Sequence, residues 1–163
     1  MNRIRQAAVW AVMGVVLGGI LGEGAARAAD LYWDPNNDTE DQWDLDPSNL
    51  SWDSGSAGGT PTAWTDGNTA RFTTSGGTVP LAANVSTSGI QQNVALSITS
   101  PDTDADGIYD YTITNSGGMT NPSYGYPLAT YNVNMNLTGS VTIQQKAVFN
   151  GPISGSATVY QQG

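Results

Sequence analysis

The sequence contains neither cysteine nor histidine, and only 5 of its 163 residues are Lys or Arg. Without cysteine there is no disulfide and no thiolate nucleophile, and without either residue the usual ligand sets of zinc, haem and iron–sulfur sites are missing. A Ser-His-Asp triad needs an imidazole, so it is excluded as well. The shortage of cations argues against nucleic acid as a partner, because phosphate binding depends on Lys and Arg.

Three of the five cations lie at the start of the chain, within a targeting pattern. Arg3 and Arg5 precede an uncharged run over residues 7–21, and alanines occupy both small-residue positions before a cleavage point. This order is typical of a secretory signal peptide. The run is shorter than the roughly 20 residues that span a bilayer. We therefore predict a signal peptide over residues 1–28, cleavage after Ala28, a secreted or cell-surface location, and no membrane span in the mature chain.

The mature chain is strongly acidic and polar. Arg71 and Lys146 are its only cations against 13 acids, which makes the net charge -11. Such a surface repels nucleic acid and anionic lipid and attracts metal cations. Thr, Ser, Asn, Gln and Gly are abundant, whereas Lys and Glu, the common residues of exposed helix faces, are nearly absent. This composition disfavours helices and favours strands joined by turns.

Short amphipathic runs are the main local pattern. Alternation and β-branched residues predict strands at Thr69–Thr73, Thr78–Leu81, Val94–Thr99, Tyr109–Thr114, Tyr131–Leu137, Val141–Gln145 and Thr158–Gln161. Each strand can bury its apolar face only against another layer, so the predicted fold class is all-β. Two architectures fit this pattern: a β-solenoid, whose coils stack along an axis, and an antiparallel β-sandwich.

Four tryptophans alternate with aspartates near the start of the mature chain. The pairs Trp33-Asp34, Trp43-Asp44 and Trp52-Asp53 are about ten residues apart, and Trp64-Thr65-Asp66 follows them. Large aliphatic residues are scarce in this stretch, so the indole rings are the best candidates for a small hydrophobic core. The other interpretation is an exposed platform on which sugar rings stack, as in carbohydrate-binding modules.

The same stretch resembles the opening of autotransporter-associated β-strand repeat proteins, which are secreted or surface proteins of bacteria. The resemblance is carried by Leu31-Tyr32-Trp33-Asp34, Trp43-Asp44, Ser51-Trp52, Ala63-Trp64, Asp66-Gly67, Ala70-Arg71-Phe72 and, more distantly, Gly151-Pro152-Ile153-Ser154-Gly155-Ser156. It implies a right-handed parallel β-solenoid passenger with a Trp-rich N-terminal cap and no catalytic residues. The cap would cover residues 29–84, and the solenoid rungs would cover residues 85–163. The Gly-Thr-Leu repeat of the family is not evident here.

The predicted rungs continue to the last residues without a polar capping element. An uncapped solenoid end is an exposed edge that other strands can join. This pattern indicates either that residues 85–163 are an incomplete fragment or that their end needs a partner.

A cluster of aspartates provides the clearest candidate for a ligand site. Asp102, Asp104, Asp106 and Asp110 occupy positions 1, 3, 5 and 9 of one segment, with Gly107 at position 6. Calcium takes six to eight oxygen ligands, and alternate carboxylates on a tight turn supply them. The segment resembles the calcium loops of thrombospondin type 3 and dockerin-like repeats. We predict a calcium site formed by these four aspartates, against the alternative of a solvated acidic turn.

These features favour an exported bacterial surface or passenger protein with a structural or adhesive role and without intrinsic catalysis. Surface glycans or other surface proteins are the expected partners. A carbohydrate-binding module that uses surface Trp is the alternative. The third hypothesis is a glycan-cleaving β-helix enzyme, since glycoside hydrolases use paired carboxylates such as those between Asp102 and Asp110. A polysaccharide lyase is less well supported than a hydrolase. A lyase needs a basic residue to remove a proton, and Arg71 and Lys146 are the only basic residues after residue 28.

Overall fold

The protein is described by a computed structural model that covers residues 28–37, 41–120, 128–144 and 147–161. Within these ranges it has sixteen strands, no α-helix, and one short 3₁₀ turn at Pro35–Asn37. The prediction of an all-β fold is confirmed. No helix among these residues is long and apolar enough to cross a membrane. Residues 1–27, the bulk of the predicted signal peptide, lie outside the described ranges.

The strands are short, mostly three or four residues each. In chain order they are β1 (Asp30–Trp33), β2 (Trp52–Ser54), β3 (Thr60–Thr62), β4 (Thr69–Phe72), β5 (Gly77–Pro80), β6 (Val85–Thr87), β7 (Gly89–Gln92), β8 (Leu96–Thr99), β9 (Thr112–Asn115), β10 (Met119–Thr120), β11 (Ala129–Asn132), β12 (Asn134–Leu137), β13 (Ser140–Gln144), β14 (Ala147–Phe149), β15 (Ile153–Gly155) and β16 (Thr158–Gln161).

These strands form three sheets that the chain visits in turn. The long sheet has the order β16-β13-β10-β7-β4-β1-β2-β3, the second sheet β14-β11-β8-β5, and the third sheet β15-β12-β9-β6. From β4 onward, neighbours in every sheet are three strands apart along the chain and run parallel. Antiparallel pairing occurs, among the described strands, only where β2 joins β1 and β3.

Parallel register stacks the apolar residues of successive strands into columns. In the second sheet Val79 pairs with Ile98, Ile98 with Tyr131, and Tyr131 with Phe149. The third sheet has the column Val85, Ile113, Met135 and Ile153. Because side chains alternate along a strand, these columns lie on one face of each sheet. Apart from the exposed Ile153, their residues belong to one buried core or pack against it.

Most predicted strands appear within two residues of their expected ends, but two differ. The prediction Tyr131–Leu137 is one run in the sequence and two strands in the structure, β11 and β12, which belong to different sheets. Val133 lies between them and is fully buried, so the apolar alternation continues across the bend. In the prediction Tyr109–Thr114, the first three residues belong to a loop, and β9 begins only at Thr112.

The spacing between stacked positions is irregular. Ile98 follows Val79 by 19 residues, Tyr131 follows Ile98 by 33, and Phe149 follows Tyr131 by 18. The long interval contains the loop between β8 and β9 and the residues between β10 and β11. These insertions explain why the sequence shows no strict repeat.

Parallel pairing already joins β1 to β4, and β4, β5 and β6, the first strands of the three-sheet pattern, end before residue 88. The division into a cap over residues 29–84 and rungs over residues 85–163 stays a prediction.

Candidate metal centre and the tryptophan core

The four tryptophans after residue 28 form one cluster in the protein interior. Trp33, Trp43, Trp52 and Trp64 are each at most 4% exposed. The ring centroid of Trp52 lies 5.2 Å from that of Trp33, 5.2 Å from that of Trp43 and 4.8 Å from that of Trp64. The first two contacts are edge-to-face and the third is tilted; edge-to-face contacts at such distances are favourable. The interpretation of these residues as a hydrophobic core is confirmed, and none of the four presents an open ring to solvent.

Strand pairing and one isolated bridge hold the Trp cluster in place. Trp33 in β1 is directly opposite Trp52 in β2. Trp43 pairs with Leu81 just after β5: its N–H donates to the Pro80 carbonyl at 2.8 Å, and its carbonyl accepts from Ala82 N–H at 3.0 Å. The cluster therefore packs against the first strands of the long and second sheets.

The aspartates beside these tryptophans act as hydrogen-bond acceptors for the loops. Asp44 Oδ2 accepts from Gln42 Nε2 at 2.7 Å, and Asp44 Oδ1 accepts from Asn49 Nδ2 at 3.1 Å. Asp66 Oδ1 accepts from Trp64 Nε1 at 3.3 Å and from the Ser86 backbone N–H at 2.7 Å. The sequence pattern pointed to the indole rings of the Trp-Asp pairs. It did not predict that the neighbouring carboxylates accept hydrogen bonds from the loops.

The aspartate cluster lies in a loop between β8 and β9, where the chain passes from the second to the third sheet. Two hydrogen bonds close its base: Asp110 N–H donates to the Pro101 carbonyl at 2.8 Å, and Tyr111 N–H donates to Ser100 Oγ at 2.9 Å. The first bond fixes the ends of a ten-residue excursion, Pro101 to Asp110, so the loop is anchored on the sheets at both ends.

Within the loop, backbone N–H groups hold the carboxylates on the inside of the turn. Asp102 Oδ2 accepts from Gly107 N–H at 3.1 Å, and Asp106 Oδ1 accepts from Ile108 N–H at 2.7 Å. Ala105 and Gly107 have positive φ angles of 57° and 83°. This backbone conformation curls the chain tightly, and glycine adopts it without steric cost.

The turn brings three of the four predicted ligands together. Carboxylate oxygens of Asp102, Asp104 and Asp106 all lie within 4.8 Å of one another. Asp110 is not a member of this group, and its Oδ1 accepts from Thr103 N–H at 3.2 Å. Two oxygens bound to one calcium ion, each about 2.4 Å from it, can be up to about 4.8 Å apart. The three carboxylates are thus spaced as ligands of one cation require.

The three carboxylates differ in their exposure to solvent. Asp104 and Asp106 are exposed, whereas Asp102 is partly buried. Asp102 Oδ1 is shielded from solvent and accepts no hydrogen bond from the described residues. An unpaired carboxylate oxygen is costly to bury unless a cation or a donor approaches it. Chemically, the arrangement suits binding of a hard cation.

Arg71 makes the only ion pair among the described residues. Its guanidinium lies 2.8 Å from Asp30 Oδ2, donates to the Gln91 side chain, and stands 5.7 Å from the ring centroid of Tyr32. These partners lie on β1 and β7, on either side of β4. Arg71 therefore ties three neighbouring strands together on the outer face of the long sheet.

No family model, curated protein or solved structure matches this chain.

Proposed function

We propose that the chain is an exported bacterial surface or passenger protein with a structural or adhesive role and no catalytic activity of its own. Its fold would be a right-handed parallel β-solenoid with a Trp-rich N-terminal cap. The observation that carries this proposal is the strand order: from β4 onward, every sheet adds one strand for each passage of the chain around the three sheets. Right-handed crossovers are the rule for parallel strands.

The distribution of charge supports a role outside the cell. A mature net charge of -11 disfavours contact with nucleic acid or anionic lipid. The outer faces of the second and third sheets are mostly small and polar, as at Ser97, Thr130, Thr114 and Asn136. Such faces suit a soluble spacer or a polar contact surface for surface glycans or other surface proteins.

We further propose calcium as the ligand of the aspartate loop. What supports this is the spacing of Asp102, Asp104 and Asp106 and the buried, unpaired Asp102 Oδ1. Asp110, the fourth predicted ligand, would join by a small movement or through water. Calcium accepts carboxylates, backbone carbonyls and water in one shell, which fits an exposed loop. Its role would be to fix the loop that links the second sheet to the third.

The alternative functions have less support. A carbohydrate-binding module that stacks sugars on Trp needs exposed rings, and the four rings of the Trp cluster are buried. A glycan-cleaving enzyme needs an acid and a second carboxylate on opposite sides of a bond, at least about 5 Å apart. Asp102, Asp104 and Asp106 are closer than that and line one turn.

The proposal is tested with antibodies raised against residues 29–163. They should label intact cells of the source bacterium, and protease added outside should remove the label. In parallel, the purified protein should release no reducing ends from a panel of polysaccharides. Labelling that appears only after lysis would contradict the surface role, and steady release of reducing ends that Asp102→Asn abolishes would establish the enzyme hypothesis instead.

A further inference from the structure

The predicted cleavage point lies directly beside a paired strand. Ala29 is the single residue between the bond after Ala28 and the start of β1 at Asp30. Ala29 is itself held: its N–H donates to Asn68 Oδ1 at 2.9 Å, and its carbonyl accepts from Thr69 N–H at 2.8 Å. The nitrogen of the predicted scissile bond is therefore tied to the residue that precedes β4.

β1 is an inner strand of the long sheet. It pairs in parallel with β4 on one edge and antiparallel with β2 on the other. Its apolar side chains Leu31 and Trp33 are 5% and 1% exposed, and its first residue, Asp30, forms the ion pair with Arg71. Both backbone edges and the apolar face of β1 are thus occupied in the folded chain.

Cleavage after Ala28 conflicts with this pairing. A protease binds its substrate as an extended segment on both sides of the scissile bond, with backbone contacts like those that add a strand to a sheet. The residues after the bond are Ala29, Asp30 and Leu31, and the last two already pair with β4. They can enter a protease only when β1 leaves the long sheet, so a native chain must first open locally.

The partners of β1 come later in the chain. Ala29 contacts Asn68, which lies 39 residues further along, and β2 and β4 begin at Trp52 and Thr69. A chain that is exported from its N-terminal end therefore brings β1 out before β2 and β4. Until these strands follow, β1 stays unpaired, and the bond after Ala28 is accessible to a protease.

We propose that the docking of β1 closes the processing site. The bond after Ala28 is cut while β1 is outside the long sheet, so removal of residues 1–28 precedes completion of the Trp cluster. This order of events rests on the proposed export of the protein and on the predicted cleavage after Ala28. A chain that docks β1 first keeps residues 1–28.

Hydrolysis also changes the group that Asn68 holds. Water adds across the peptide bond between Ala28 and Ala29, so Ala28 gains a carboxylate and the Ala29 nitrogen becomes an α-ammonium group. A charged donor forms a stronger hydrogen bond than a peptide N–H. Asn68 is itself fixed, because its carbonyl accepts from Ser88 N–H at 3.0 Å and from Thr87 Oγ1 at 2.8 Å. Asn68 therefore anchors the new end of the chain once β1 has docked.

The test is cleavage of the full chain, residues 1–163, by purified bacterial signal peptidase in mild detergent. In one arm the chain is diluted from urea straight into the peptidase, and in the other it refolds before the peptidase is added. Mass spectrometry gives the position and the rate of cutting. We expect cleavage after Ala28 in the first arm and cleavage at least about a hundredfold slower in the second, because opening must expose Leu31 and Trp33.

Matched variants locate the opening. Leu31→Ala weakens the docking of β1 and should speed cleavage of the refolded chain at least about tenfold. Leu96→Ala, at a similarly buried position in β8, should speed it far less. Asn68→Ala leaves the apolar core intact, frees the Ala29 N–H and should also speed cleavage.

The outcomes separate the docking of β1 from export itself. Equal rates in the two arms, or equal acceleration by Leu31→Ala and Leu96→Ala, would overturn the proposed control by β1 and leave export standing. If neither arm is cut after Ala28, the predicted signal peptide is wrong, and the proposed control by β1 fails with it.

Discussion

Asp104 tests the calcium proposal at the scale of one side chain. It is exposed and belongs to the group of three carboxylates. With about a hundredfold excess of calcium over the dissociation constant, binding should stabilise the native state by about 2.7 kcal/mol. Weak affinity, roughly 10⁻⁴ to 10⁻³ M, is expected for an extracellular loop of this kind. Asp104→Asn keeps one oxygen but removes a charge, so it should weaken binding without unfolding the chain.

The measurement is thermal melting in millimolar calcium and in chelator. Asp41→Asn is the control, because Asp41 is exposed and lies outside the loop; it should respond to calcium like the wild type. Magnesium should substitute poorly, since it holds its waters and demands a smaller octahedral site. If the wild type melts at the same temperature in both buffers, the loop is a solvated acidic turn.

Trp52 tests the buried cluster. It contacts Trp33, Trp43, Trp64 and Phe72 and is 1% exposed. Trp52→Ala removes a large buried ring and should lower the free energy of unfolding by about 3–5 kcal/mol. Leu45→Ala, at an exposed position, should change it far less. Chemical denaturation gives both values; a Trp52→Ala protein as stable as the wild type would be incompatible with a Trp core.

The candidate site was only partly predictable from individual residues. Alternate aspartates around Gly107 were sufficient to expect Asp102, Asp104 and Asp106 on one side of a turn. Asp110 has the same spacing pattern, but its N–H closes the base of the loop and its carboxylate accepts from Thr103. Those bonds depend on where the two sheets end, which spacing within the loop does not reveal.

Two adjacent glycines test the close stacking of strands at the scale of elements. They lie in the turn between β9 and β10. A Cβ on Gly117 would lie 1.7 Å from the backbone oxygen of Ser88, in the turn directly preceding β7, whereas a Cβ on Gly118 would have its nearest contact at 3.5 Å. Gly117→Ala should therefore force the two turns apart.

We expect Gly117→Ala to destabilise the protein by about 1–3 kcal/mol, the usual range for overpacking. Gly118→Ala should change stability little. Urea denaturation of the two variants side by side is the measurement, and equal stability of both would argue against contact between these turns.

Alternation predicted strands well where one face is apolar and poorly where it is not. β8 and β13 have apolar inward residues and were found from sequence. β7 reads Gly-Ile-Gln-Gln, and its inward positions include Gln92, which is fully buried. A polar inward residue removes the period-two signal. The sequence also does not reveal the bend at Val133. Val133 is buried at the corner between β11 and β12, so the apolar alternation continues through the bend as if the strand were unbroken.

The start of the chain predicts proteolytic processing of the whole protein. Arg3, Arg5 and the uncharged run that follows predict that residues 1–28 are removed on export. N-terminal sequencing of protein recovered from outside the cytoplasm should begin at Ala29 or within a residue or two. Recovered protein that still starts at Met1 would contradict the signal peptide.

The order of strands in the sheets could not be derived from sequence, although the all-β class could. Stacked residues are separated by intervals from 18 to 33 residues in the second sheet. The loops between the strands differ in length. The core residues therefore stack regularly in the structure, although the number of residues between them in the sequence varies. Both a solenoid and an antiparallel sandwich therefore fitted the pattern, and only the pairing in the structure distinguishes parallel neighbours from antiparallel ones.

Parallel register between strands that are distant in sequence is the central claim, and a designed disulfide tests it most directly. Ser97 in β8 pairs with Thr130 in β11, and both are partly exposed on the outer face. Neighbouring strands are about 4.8 Å apart, within disulfide range. The chain has no other cysteine, so Ser97→Cys/Thr130→Cys should form an intramolecular bond that mass spectrometry of digested protein detects. Ser97→Cys/Asn132→Cys, two residues out of register, should stay largely reduced under the same oxidation. A bond in the second variant and none in the first would contradict the parallel register and the coil built on it.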